Sequence, residues 1–259
     1  MRAAVLALST LAALAASGAA QAAPSLSITA VYEARLLIKV ADLRTDQVVS
    51  PDGYKAGARL TTLGALGVIK PSSILAQADG GAADGAPAPV IYLQTEKTKR
   101  RTTRYAAGGG PRSVADPLTQ LLRAALQPGG GSPCVGAVPV YDGRQRYDLT
   151  LSPAGAGVLT GPPAHFGLTR PLACRLGFHP ISGFSGGPPK KNPFVRADPF
   201  ATFAFEPRAN VWVMTDVAVP TLVGTGHIAL TSVHIDGVKP VFGKPAPAAP
   251  PPRRPRRRA

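Results

Sequence analysis

Residues 116–151, DPLTQLLRAALQPGGGSPCVGAVPVYDGRQRYDLTL, hold a dense set of helix signals followed by a Gly/Pro break, a cysteine and a hairpin pattern. Asp116 fits an N-cap, and Pro117 fits the first helical position, where the fixed φ of proline suits the helix and its missing N–H costs nothing. Leu118, Leu121, Leu122 and Ala125 fall at i, i+3, i+4 and i+7, so they form one apolar stripe, and Gln127-Pro128-Gly129 stops the helix. Beyond Cys134, Val138-Pro139-Val140-Tyr141 faces residues 144–149 across Asp142-Gly143. Asp-Gly supplies positive φ angles, which predicts a two-residue type I′ turn there.

Outward from this stretch the pattern has a period of two, which describes strands. In 25–42, Tyr32, Ala34, Leu36, Ile38 and Val40 share one face and Glu33, Arg35 and Lys39 the other, predicting one strand with a buried side. Asp52-Gly53 turns the chain and 54–60 alternates again as a hairpin partner, while 61–69 fits either a continued strand or a helix. Residues 73–78 read as a strand, 79–89 as a Gly/Ala/Pro loop and 90–95 as an apolar strand. The basic run 96–105, EKTKRRTTRY, fits a solvated edge strand protected by charge, with an anion-binding face as the alternative. Residues 108–111 read as a linker, 152–167 and 180–193 as loops, and 172–178 as a strand carrying Cys174. The last strands are 200–206, 211–219 and 221–233, with Asn210, Pro220 and Gly224 at their turns. Trp212 and Met214 read as packing, and Asp148 alternates onto the side of Arg144 and Arg146, which predicts a local ion pair.

At 259 residues and 45% hydrophobic, the chain is long enough to bury its own core, and 28 glycines with 28 prolines imply turns rather than long helices. One β-rich domain over 24–240 is expected. Met1-Arg2, the apolar run 3–16 and Ala20-Gln21-Ala22 fit a secretory signal over 1–22, cleaved near Ala22, with a periplasmic destination. The apolar run is too short and too rich in alanine for a good membrane anchor. An oxidising compartment and an even count point to one disulfide between Cys134 and Cys174, with a pair of free buried thiols as the alternative. The formal charge is +15. Residues 244–259, KPAPAAPPPRRPRRRA, lack periodicity and are expected to be disordered. Arg253, Arg254, Arg256, Arg257 and Arg258 there suit an anionic envelope surface, with a merely solubilising tail as the alternative. Nucleic acid is not an expected partner of an exported protein.

Catalytic chemistry finds little footing. Gly183-Phe184-Ser185-Gly186-Gly187 matches G-x-S-x-G, but that elbow needs a strand before the serine and a helix after it, and the prolines that follow cannot start such a helix. His165, His179, His227 and His234 have no partner at metal-ligand spacing, so no metal and no cofactor is expected. No two carboxylates stand at a recognisable acid/base spacing. The protein is therefore expected not to be an enzyme.

Asp116-Pro117-Leu118, Cys134, the run 140–149, Cys174-Arg175 and Pro180-Ile181-Ser182-Gly183 together resemble the exported bacterial family of the domain of unknown function three thousand one hundred and eight. Tyr32 and the Asp52-Gly53-Tyr54 turn also fit, and the likeness spans roughly residues 30–237. The chain departs from the family in having Gln145 where an arginine is usual, and in its Arg/Pro tail. The resemblance implies a mainly β fold like that of lipoprotein carriers, a curved antiparallel sheet or half-barrel around a short α-helix, and it brings no catalytic residues. On that analogy the expected function is carriage of an apolar, lipid-like ligand, with Leu36, Ile38, Leu118 and Leu122 as wall candidates, and packed core is the alternative role for each of them alone. The alternatives are an envelope adaptor tethered by the basic tail and a hydrolase using Ser185.

Overall fold

A computed structural model of the protein describes residues 25–63, 72–106, 113–159, 162–185 and 197–242. The expected signal segment, the 108–111 linker and the basic tail lie outside the described residues, as does most of 61–69. Twelve strands form one sheet: β1 (Leu26–Arg35), β2 (Lys39–Ser50), β3 (Gly53–Thr62), β4 (Ser73–Ala83), β5 (Ala86–Glu96), β6 (Lys99–Arg104), β7 (Gly136–Tyr141), β8 (Arg146–Ala156), β9 (Thr169–Ser182), β10 (Phe200–Glu206), β11 (Val211–Thr221) and β12 (Gly224–Gly237). The order across it is β6-β5-β4-β3-β2-β1-β12-β11-β10-β9-β8-β7, antiparallel throughout. The single α-helix among the described residues, α1 (Pro117–Ala125), contacts β3, β4 and β5 in one arm of the sheet and β7 and β11 in the other. The expected fold class, a mainly β, curved antiparallel sheet around a short helix, is the one observed. No helix among the described residues is long and apolar enough to cross a membrane.

Period-two burial explains the curvature. Leu26, Ile28, Ala30 and Tyr32 of β1 are all buried, and Tyr54 and Ala56 of β3 continue that face. Leu26, Ile28, Tyr54 and Ala56 join Val49, Tyr92, Val211, Leu122 and Leu126 in a core between sheet and helix, while Ala30 and Tyr32 pack with Leu168, Val213 and Leu230 in a neighbouring cluster. A second core gathers Phe203, Phe205, Trp212 and Leu151 around Cys174, which is bonded to Cys134 with Cα atoms 5.5 Å apart. The expected disulfide pair is thus joined, beside the loop that leaves α1.

The strand order leaves β6 and β7 as unpaired edges, and this seam is closed by other means. Ala115 N donates to the Pro139 carbonyl at 3.3 Å and Tyr141 N donates to the Ala115 carbonyl at 3.0 Å, one parallel bridge that covers part of the β7 edge. Pro139, which has no N–H, is tolerated in β7 because the strand is an edge. The Tyr105 hydroxyl donates to the Tyr141 carbonyl, and Gly143 lies against Thr103 of β6.

Several local expectations are corrected. The strand predicted over 25–42 is a hairpin that turns at 36–38, where Leu37 is 84% exposed, because its alternation runs unbroken through a tip without Gly, Pro, Asn or Asp. Residues 79–89 are not a loop: β4 and β5 meet at Asp84-Gly85, both with positive φ, so a hairpin Asp-Gly signal sits there inside an Ala/Gly/Pro composition that masks it. At Asp142-Gly143 the turn is instead a four-residue loop between Tyr141 and Arg146, in which Asp142 Oδ1 accepts from Arg144 N and Gln145 N. β8 and β9 extend into both segments read as loops. Pro220 lies inside β11 rather than at a turn. Asp148 pairs in register with Pro139 and His179 and forms no ion pair with Arg144 or Arg146. The basic run is the edge strand its charge suggested.

Gly143 shows how tightly the seam is closed. It has φ +86°, and a Cβ there would lie 1.9 Å from Thr103 Oγ1. Thr103 Oγ1 is itself buried without a hydrogen-bond partner among the described residues. Gly143→Ala should lower stability by about 2 kcal/mol or more through the positive φ and the clash, read by denaturant unfolding. Thr103→Ala alone should be close to neutral, since it removes an unsatisfied hydroxyl, and it should recover part of the Gly143→Ala loss in the double variant.

Candidate functional site

The helix ends where its signals place it. Asp116 is the N-cap, its Oδ1 accepting from Thr119 N at 2.9 Å, Pro117 opens the first turn, and the cap residue Leu126 closes the last. Its orientation differs from the stripe. Leu122 is buried and Leu118 is half-buried against the same core, but Leu121 is 39% exposed. In their place Asp116, Thr119, Gln120 and Arg123 are buried.

Each of these four buried polar side chains has a partner. Thr119 Oγ1 donates to Asp116 Oδ2 and accepts from the Tyr54 hydroxyl of β3. Gln120 Nε2 donates to the Pro139 carbonyl of β7 at 2.7 Å. Arg123 Nε donates to the Pro87 carbonyl of β5 at 2.8 Å, and its Nη1 to the Ser113 carbonyl at 2.9 Å. The helix therefore bonds to both arms of the sheet and to the segment at the seam. Burial pushes the hydroxyls of Tyr54, Tyr92 and Tyr105 up, and the Asp116 charge pushes in the same direction; Tyr147 is pushed up to about 12. Burial lowers the Arg123 guanidinium, which has carbonyls rather than a carboxylate against it. The network is closed to solvent, which suits anchoring.

On the other side of the helix the concave face keeps an apolar trough. Leu121 and Ala125 face Ile28, Tyr32, Phe203, Trp212 and Met214 there, around a void of about 50 Å³. Trp212 is fixed by donating its Nε1 to the Gly131 carbonyl at 2.7 Å. The four wall residues expected from the sequence are elsewhere. Leu36 and Ile38 flank the β1–β2 tip, where Ile38 is 63% exposed, because that apolar run is a turn rather than a strand. Leu118 and Leu122 are packed into the core. From the sequence Leu121 reads only as part of the stripe, Trp212 and Met214 only as packing, and Phe203 only as a residue of a strand.

Other concavities differ in chemistry. One of about 680 Å³ on β2–β4 is lined by mixed charges such as Arg44, Asp46 and Lys55, with Arg44 already paired to Asp46 at 2.9 Å. A smaller one lies at the seam between β6 and the β7–β8 turn. Ser185 is exposed just beyond β9, and its hydroxyl accepts from the Arg144 guanidinium. His227 is 3.0 Å from Asp216 and His234 is 2.8 Å from Asp236, both pairs near the surface. Among the described residues no three His, Cys, Asp or Glu side chains are grouped to hold a metal ion.

No family model matches the chain, and no curated protein matches it. Among solved structures it is similar to a beta-barrel-like protein of domain of unknown function DUF1849 from Brucella abortus, at 11% identity and a TM-score of 0.40, over 83% of this chain and 98% of that one.

Burial raises the Asp116 carboxyl above its ordinary range, against the bonds from Thr119 that lower it. The folded protein thus keeps this proton to higher pH than the unfolded chain, so the site favours folding most at low pH and less as pH rises through the raised value. Asp116→Asn keeps an acceptor for Thr119 N without a charge to bury. Its melting temperature relative to the parent should climb as pH rises from the ordinary carboxylate range through the raised value. Asp116→Ala, losing the cap, should cost about 1–3 kcal/mol throughout. Parallel profiles for parent and Asp116→Asn would contradict the raised carboxyl.

Proposed function

We propose that this is a non-enzymatic, exported binding protein, kin to the family its hairpin and cysteines resemble, that holds an apolar group in the trough beside Leu121. The observation that carries this reading is a leucine left 39% exposed on a helix whose other residues are buried or half-buried, facing an aromatic and aliphatic wall on the concave side. An apolar side chain in that position loses burial that the fold could have given it, and an apolar ligand would restore it. The joined Cys134–Cys174 pair supports an oxidising compartment.

The void of about 50 Å³ is well below the ~300 Å³ at which small-molecule pockets begin, so entry of a chain-like ligand requires Leu121 to swing outward. The ligand is therefore expected to be bound by displacement of that side chain rather than by a preformed cavity.

Delipidated protein titrated with a fluorescent fatty acid tests this. Leu121→Ala enlarges the trough and should tighten binding several-fold, while Leu121→Arg should weaken it about tenfold at unchanged melting temperature, since the position is partly solvated. Absence of binding by the parent, or equal binding by all three, would defeat the proposal.

A further inference from the structure

The concavity at the seam has about 360 Å³ of space and is lined by four cations and a single carboxylate. Lys99, Arg100 and Arg101 of β6 line it, and Arg144 of the β7–β8 turn reaches it from the other edge of the sheet. Lys99 and Arg101 share one face of β6, opposite Glu96 and Gln94 of β5 in the ladder. Glu96 is the lining carboxylate, and the nearby Asp142 has its Oδ1 committed to Arg144 N at 2.9 Å and Gln145 N at 2.7 Å.

None of the four cations forms an ion pair among the described residues, whereas Arg35, Lys39 and Arg44 elsewhere on the sheet each meet a carboxylate. Four like charges around one cleft repel one another, and the free protein gains nothing visible in return. The geometry also fixes the two sides relative to each other. A Cβ on Gly143 would lie 3.1 Å from Arg101 Cδ, so the turn backbone rests on the arginine stem. Arg144 donates through Nη2 to Ser185 Oγ, which steadies the guanidinium and leaves its other N–H groups for an acceptor. A planar fork held in this way matches a tetrahedral oxyanion better than a lone ammonium does.

We propose that the seam cleft between β6 and the β7–β8 turn is a phosphate-binding site, in which Arg101 and Arg144 grip a phosphoryl group from the two edges of the sheet. A free phosphate ester and a phospholipid headgroup offer the same chemistry. The site lies apart from the Leu121 trough and does not depend on the reading given to that trough.

The test uses the mature full-length chain, with calorimetric titration by pyrophosphate and flotation with phosphatidylglycerol or phosphatidylcholine vesicles. Saturable binding of pyrophosphate, or retention on phosphatidylglycerol but not phosphatidylcholine, is expected, and which of the two occurs identifies the source. Arg101→Gln and Arg144→Gln should each weaken binding about tenfold, with Arg144→Lys keeping part of it. Lys55→Gln/Arg59→Gln, a larger charge change on the β3 face, should leave binding unchanged, as should Leu121→Arg. Equal weakening by the Lys55/Arg59 pair would reveal unspecific attraction and overturn the proposal. So would the absence of both pyrophosphate and vesicle binding, or vesicle retention lost only when residues 253–258 are removed. Unchanged melting temperatures of the glutamine variants exclude misfolding as the cause.

Discussion

α1 enters the sheet with Asp116, Thr119, Gln120 and Arg123 buried, and the fold depends on each of them meeting a partner. Apolar burial by Leu122 and Leu126 supplies driving force but little direction, because one greasy face can slide over another. Hydrogen bonds give the direction: Tyr54 on β3, Pro87 on β5 and Pro139 on β7 each accept from or donate to the helix. An unpaired buried polar group costs about 1–3 kcal/mol, so a shifted helix would lose several such terms at once. The same bonds substitute for the missing β6–β7 ladder, since the helix and Ala115 join the two edges that the strand order leaves apart.

Placing the helix by its polar side leaves two distinct surfaces. On one, Leu121 stands against an aromatic and aliphatic wall, which suits an apolar group. On the other, the seam gathers arginines from both edges, which suits an anion. Both follow from one constraint, because a continuous β6–β7 ladder would remove the seam, and a helix buried by its leucines would fill the trough.

Much of the architecture was readable from the residues, and the exceptions have physical reasons. Asp116 and Pro117 identified the helix start, alternation identified most strands, and charge identified β6 as an edge. Periodicity misjudged the helix orientation because it ranks side chains by polarity and has no knowledge of the carbonyls at Pro87 and Pro139 that make burial of Arg123 and Gln120 affordable. The β1–β2 turn was hidden because its tip is apolar, and the β4–β5 hairpin because its strands are built from Ala, Gly and Pro. Small residues there have a use that only the fold reveals: at Gly80 a Cβ would lie 2.4 Å from the Tyr54 ring, so glycine is what lets that ring lie in place to reach Thr119. The trough and the seam cleft join residues far apart in the chain, and no local pattern could pair Arg101 with Arg144.

Native-state hydrogen exchange on Arg123→Met tests the anchoring directly. Methionine keeps the volume and apolar stem but gives up the bonds to Pro87 and Ser113. If polar anchoring closes the seam, protection should fall at the β6 and β7 edges together, while the β1–β12 amides at the centre of the sheet stay protected to the level of global unfolding. Undiminished protection at both edges would contradict the account and leave the apolar face of the helix as the element that holds the sheet closed.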